Sequence, residues 1–139
     1  MYARMNTGLS PDFVQFKPDE DFTIGSSRYL LRPETVESLF ILYQLIGDPV
    51  YREWGWEIFQ AIEKYCKTPF GYGSVRDVSH QETESSPSPN NRMESFFLAE
   101  TLKYLYLLFD PETPIDVLNK HVFNTEAHPF RIIPTKSGR

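Results

Sequence analysis

The sequence predicts a mostly α protein, and three observations carry that reading. Apolar residues recur at helical spacing in three separate stretches. Proline, glycine or aspartate marks the ends of those stretches, as expected of helix starts and stops. The intervening segments are rich in Gly, Pro, Ser and Asp and read as loops.

Taken in order, residues 1–30 show little periodicity and read as irregular structure with short extended pieces. Arg32-Pro33 opens the first helix, because proline in a first turn loses no hydrogen bond. Val36, Leu39, Phe40, Tyr43 and Ile46 follow at helical spacing. Ile41, Leu42 and Leu45 add apolar groups on other faces, so this helix is expected to be buried on most sides. Gly47 stops it. Asp48-Pro49 then caps and starts a second helix, whose apolar stripe reads Val50, Trp54, Ile58, Ala61 and Tyr65. So short a link predicts an antiparallel helix pair. From Lys67 to Asn90 the chain is polar, with Gly71, Gly73, Pro87 and Pro89, and reads as a long surface connector. Asn91 is the expected cap of the third helix, with Glu94 in the reciprocal position. That helix passes through Phe96, Phe97, Tyr104, Leu105 and Leu108 to about Phe109, where Asp110-Pro111 ends it. A short helical or irregular piece leads to HVFNTEAHPF, which reads as extended, since Pro129 and Pro134 oppose a helix.

Composition narrows the function classes. With 139 residues the chain suffices for one domain with a modest core. Hydrophobic content of 40% and charged content of 24% are those of a globular protein rather than a disordered one. The net charge is -5 and no basic run exists to neutralise phosphates, which argues against a nucleic-acid partner. The apolar stretches near Leu39–Ile46 and Tyr104–Phe109 are too short to span a bilayer, so no membrane segment is expected in this chain. The opening MYARMNTGLSPD lacks the apolar core of a secretory signal. Cys66 is the single cysteine, so no internal disulfide can form, and a small buried hydrophobe is its expected role.

Three groups of residues could carry chemistry. Glu34 and Glu37 lie three apart at a helix start and share a face, with Arg32 beside them. Acidic residues are favoured in any first turn, so spacing alone leaves an ordinary structural role open. Phe96 and Glu100 are one helical turn apart, a ring and a carboxylate able to flank a sugar or simply to serve as core and edge. In FNTEAHP, an extended backbone would put Glu126 and His128 on one side and Thr125 on the other. One His and one Glu make no transition-metal site. A hard cation fits better, with Thr125 offering a hydroxyl and a carbonyl and Glu126 holding waters. A capped terminal strand remains open as well. P-loop, HExxH, GxSxG and CxxC motifs are absent.

These pieces together are more specific than any one of them. LRPETVESLFILYQLIGD at 31–48, YREWGWEIFQAIEKY at 51–65, MESFFLAETLKYLYLLF at 93–109 and VFNTEAHP at 122–129 resemble, in order and spacing, the end of the class I α-1,2-mannosidases of glycoside hydrolase family 47. YARMNTGLSP resembles the segment that precedes LRPETVES there, so the likeness covers nearly the whole chain. The unbroken RPETVES is more like the processing mannosidases than the degradation-enhancing branch.

The resemblance implies part of an (α/α)7 barrel, closed at one end by a C-terminal β-hairpin. It implies calcium-dependent, inverting removal of terminal α-1,2-mannose from high-mannose N-glycans on glycoproteins. Glu34 matches the general base, and Arg32 an arginine of the sugar site. Phe96 matches the aromatic beneath the mannose. Glu100 and Glu126 match carboxylates that hold sugar hydroxyls and calcium-bound waters. Thr125 matches the sole direct protein ligand of Ca2+, and Glu37 lies beside the set, near enough to hold a calcium-bound water. The endoplasmic reticulum or Golgi lumen, or secretion in some lineages, follows by analogy. Phe130-Arg131 replaces the usual Leu-Pro.

The family's general acid, a further catalytic Asp and its disulfide lie upstream in a longer barrel. The expectation is therefore a C-terminal portion of one catalytic domain, a fragment with a calcium ligand and a base but inactive alone. The alternatives are a non-catalytic glycan- or calcium-binding remnant and a helical interaction module.

Overall fold

The computed structural model describes residues 2–19, 21–79 and 89–133. A hairpin of β1 (Phe13–Gln15) and β2 (Thr23–Ser26) comes first, antiparallel and irregular between Phe13 and Val14. These are the extended pieces expected within the first thirty residues.

The helix α1 (Glu34–Ile46) starts after Pro33, whose carbonyl accepts from the N–H of Glu37 at 2.8 Å. Gly47 ends it in the left-handed region at φ 74, donating to the Tyr43 carbonyl at 2.8 Å. Glycine takes that conformation without the Cβ penalty. α2 (Val50–Tyr65) is capped as expected, with Asp48 Oδ1 accepting from the Val50 N–H at 2.9 Å.

Two burial expectations need correction. Val36, Leu39 and Phe40 of α1 are buried, but Leu45 and Ile46 are 59% and 60% exposed. Among the described residues, its neighbours cover only one side. Of the stripe expected for α2, Ile58, Ala61 and Tyr65 are buried, joined by Gly55 and Ile62, whereas Val50 and Trp54 are not. Trp54 is half exposed and stands edge-on to Tyr51 at 5.8 Å. Gly55 instead faces Leu108, letting the two backbones approach, and a glycine gives no apolar signal in the sequence.

The connector is not all surface. β3 (Lys67–Thr68) and β4 (Gly71–Tyr72) form a small hairpin. Val75 exchanges both backbone hydrogen bonds with Tyr29 at 2.9 Å, and Val75 and Val78 are buried. Pro87 lies outside the described residues.

The third helix starts later than Asn91. Asn90 accepts from Ser74 Oγ at 2.8 Å and from the Arg92 N–H at 3.1 Å, and Ser74 donates its N–H to the Arg92 carbonyl. This ladder holds 90–92 beside Ser74, so Asn91 does not cap. Glu94 pairs with Arg92 at 2.6 Å instead of closing a capping box. Helical backbone begins at Ser95, passes through a widened π-turn at Phe97–Thr101, and continues as α3 (Leu102–Phe109).

β5 (His121–Phe123) and β6 (Pro129–Arg131) pair antiparallel, with Val122 opposite Phe130. Asn124–His128 between them is a tight loop, which corrects the extended reading of that stretch. Asn124 Oδ1 accepts from the N–H groups of Glu126 at 3.1 Å and His128 at 2.9 Å, and Ala127 sits at φ 53. The asparagine side chain thus replaces strand partners with local ones. Pro134 lies outside the described residues.

Phe40, Tyr104 and Phe123 form the centre of the core, with ring centroids 5.5 to 6.3 Å apart. This cluster ties α1, α3 and the last hairpin together, each ring pair adding about 0.5–1.5 kcal/mol beyond area burial. Cys66 is fully buried, and burial pushes its thiol up to about 12. Among the described residues, no helix is long and apolar enough to cross a membrane.

Candidate active site

Glu34 and Glu37 occupy the first turn of α1, as expected. What places them is the approach to that turn. Leu31 is fully buried with φ 61, and its carbonyl accepts from Thr101 Oγ1 at 2.7 Å. The chain therefore enters Arg32-Pro33-Glu34 in a fixed direction. Arg32 Nε donates to Asp12 Oδ1 at 2.6 Å, which strengthens its hold on its proton. Tyr2, Asp12, Arg32, Glu34 and Thr35 line a cleft of about 510 Å³.

Glu100 stands in the π-turn, whose extra residue widens the helix by one backbone bond and commonly marks a functional site. Burial raises its carboxyl above the usual range, and the charges of Glu126, Glu34 and Glu37 raise it further. Lys103 opposes them. Four carboxylates from α1, the π-turn and the last loop thus share one field, which spacing along the chain could not reveal for more than Glu34 and Glu37. Tyr104 donates to Glu37 Oε1 at 3.2 Å, and burial followed by the Glu37 charge makes that phenol a weaker acid. Phe96, partly buried, immediately precedes the π-turn.

Thr125 and Glu126 lie in the Asn124–His128 loop, not on opposite sides of a strand. Internal bonds there engage the carbonyls of Asn124 and His128, and Lys103 Nζ donates to that of Ala127 at 2.8 Å. Among the described residues, neither oxygen of Thr125 has a hydrogen-bond partner. Among them, too, no three His, Cys, Asp or Glu side chains are arranged to hold a metal directly. Oxygen donors with carboxylates at one remove suit a hard, hydrated cation rather than a transition metal.

Sequence reasoning missed Asp12, Tyr104 and Lys103. Each acts through a long-range contact, which no local pattern announces, Tyr104's helical spacing marking it only as core.

The carboxylates of Asp12 and Glu34 thus open on one cleft, with Glu37 a helical turn further along α1. The chain belongs to glycosyl hydrolase family 47, whose model matches residues 1–132. It is 47% identical over 138 residues to the mannosyl-oligosaccharide 1,2-alpha-mannosidase MNS1 of Arabidopsis thaliana, covering 99% of this chain and 23% of that protein. It is 46% identical over 140 residues to the endoplasmic reticulum mannosyl-oligosaccharide 1,2-alpha-mannosidase of Homo sapiens, covering 95% of this chain and 20% of that protein. The solved alpha-1,2-mannosidase from Trichoderma reesei aligns with a TM-score of 0.85 at 34% identity, over 95% of this chain and 31% of that one. The chain thus spans about a fifth to a quarter of the curated relatives it matches.

Proposed function

We propose that this chain forms the base-bearing portion of a calcium-dependent, inverting α-1,2-mannosidase domain acting on high-mannose N-glycans. The observation that carries this is the convergence of Glu100 with Glu126, Glu34 and Glu37. Inversion needs a carboxylate base with a water on one face of the sugar and a general acid on the other. Glu34, beside the cleft, takes the base role. Arg32 clamps sugar oxygens, Phe96 covers the apolar face of the ring, and Glu100 and Glu126 accept from its hydroxyls. Thr125 would hold calcium through its hydroxyl and carbonyl, with Glu37 able to support it through water. Bound there, calcium would supply positive charge amid the carboxylates. In this reading the general acid comes from sequence outside these 139 residues, the helices are part of an (α/α)7 barrel, and the setting is the endoplasmic reticulum or Golgi lumen.

The test is a graft. Residues 1–132 replace the matching 31% of the Trichoderma reesei enzyme, and mannose release from a high-mannose glycan is measured. The graft should release mannose, and Glu34→Gln should lower the rate by about 10²–10⁴-fold. An unchanged rate in Glu34→Gln would remove the base assignment. The 139-residue protein alone should release none, yet melt higher with calcium unless Thr125 is replaced by Ala. Indifference to both calcium and glycan would favour a helical interaction module.

A further inference from the structure

We propose that Lys103 is a positioning residue for the cation-binding loop, its ammonium fixing where Thr125 presents its two oxygens. The proposal rests on the calcium reading of Thr125 given above. Bonds within Asn124–His128 set the shape of that loop: Asn124 N–H to the His128 carbonyl at 3.2 Å, Ala127 N–H to the Asn124 carbonyl at 3.0 Å, and two N–H groups to Asn124 Oδ1. They do not set its place on the molecule. Two attachments do that. Phe123, at the loop's start, is locked into the ring cluster with Phe40 and Tyr104. At the far side, Lys103 Nζ reaches the Ala127 carbonyl at 2.8 Å. Ala127 is 1% exposed and sits at φ 53, so its carbonyl takes Lys103 rather than bulk solvent as its partner. Lys103 lies three residues after Glu100, on the same helical face, and its charge opposes the rise of the Glu100 carboxyl. One side chain therefore bonds the loop that carries Thr125 and Glu126 while standing beside the carboxylate on the π-turn.

Charge and position make opposite demands here. A fixed positive charge near a cation site repels the incoming ion, so on Coulombic grounds alone its removal should tighten binding. An anchor's removal should loosen it. Groups that orient a metal's ligands typically alter affinity by 10–100-fold.

Calcium binding to the 139-residue protein is measured by calorimetry for wild type, Lys103→Met and Lys103→Arg. Lys103→Met should bind about 10-fold more weakly, and Lys103→Arg, which keeps a charged donor, should recover most of the loss. Equal or tighter binding by Lys103→Met overturns the proposal. Amide hydrogen exchange at Ala127 and His128 provides a readout that needs no metal. It should quicken in Lys103→Met, and unchanged exchange overturns the proposal as well. A wild type that binds no calcium sinks the calcium reading and the positioning role built on it, while the exchange data separately judge the anchor. Should Lys103→Met fail to fold, Lys103→Gln serves, being uncharged and too short to span to Ala127.

Discussion

Thr101 donates its hydroxyl proton to the carbonyl of Leu31 across 2.7 Å, and both residues are fully buried. Thr101 closes the π-turn that carries Glu100, and Leu31 precedes Arg32-Pro33-Glu34. This bond thus joins two carboxylate-bearing segments at their roots. Leu31 at φ 61 costs about 1–2 kcal/mol relative to a right-handed residue, so its surroundings must hold it there. Thr101→Val removes the donor and strands a buried carbonyl, and urea unfolding should show a loss of about 1–3 kcal/mol. Thr101→Ser should recover most of that. A valine variant as stable as wild type would show that the bond does not hold Leu31.

Glu100 gives a pH prediction. Its folded-state carboxyl is raised above the ordinary 4.5, by burial first and then by Glu126, Glu34 and Glu37, with Lys103 opposing. The folded protein therefore holds this proton to higher pH than the unfolded chain does. The resulting stability is present below about pH 4.5 and is lost as pH rises through the raised value. In chelator, Glu100→Gln should melt above wild type at pH 7, with the difference gone by about pH 4. Equal melting temperatures at pH 7 would contradict the clustered field.

Gly55 faces α3 where the two helices meet. A Cβ there would lie 2.5 Å from Leu108 Cδ2, and Leu108 is 1% exposed with little room to move. Gly55→Ala gains up to about 1 kcal/mol of helix propensity but forces overpacking of about 1–3 kcal/mol. The expected result is a net loss of about 1 kcal/mol in denaturant unfolding. Adding Leu108→Val to Gly55→Ala should cost less than the sum of the two single changes, and simple additivity would show that the crossing can adjust elsewhere.

Helix bounds were legible wherever a residue acts on its own neighbours. Pro33, Gly47, Asp48 and Pro49 mark α1 and α2 because each biases the backbone locally. Asn91 and Glu94 misled because Ser74, distant in sequence, pairs with Asn90 and holds the chain extended. The π-turn leaves no trace in periodicity, since Phe96 and Glu100 are four apart whether the turn is regular or widened. In the last loop, the turn chemistry of Asn124 signals the bracing that the structure shows, whereas strand alternation alone predicts an extended segment. For the site, spacing pairs Glu34 with Glu37 and Phe96 with Glu100 but links neither pair to the other. Phe96 with Glu100, and Thr125 with Glu126, stand out locally as separate candidates, and only the family resemblance joins them to Glu34 in one site, because its motifs preserve what three-dimensional folding brings together.

The carboxylates that share one field belong to the first turn of α1, the π-turn before α3 and the loop after β5. No isolated hairpin or helix of this chain can hold that field, because its members meet only after the longest sequence separations have closed. On the calcium reading proposed above, affinity for the cation would therefore be a gauge of native topology. Collapsed or half-assembled molecules, however helical, would stay silent to it.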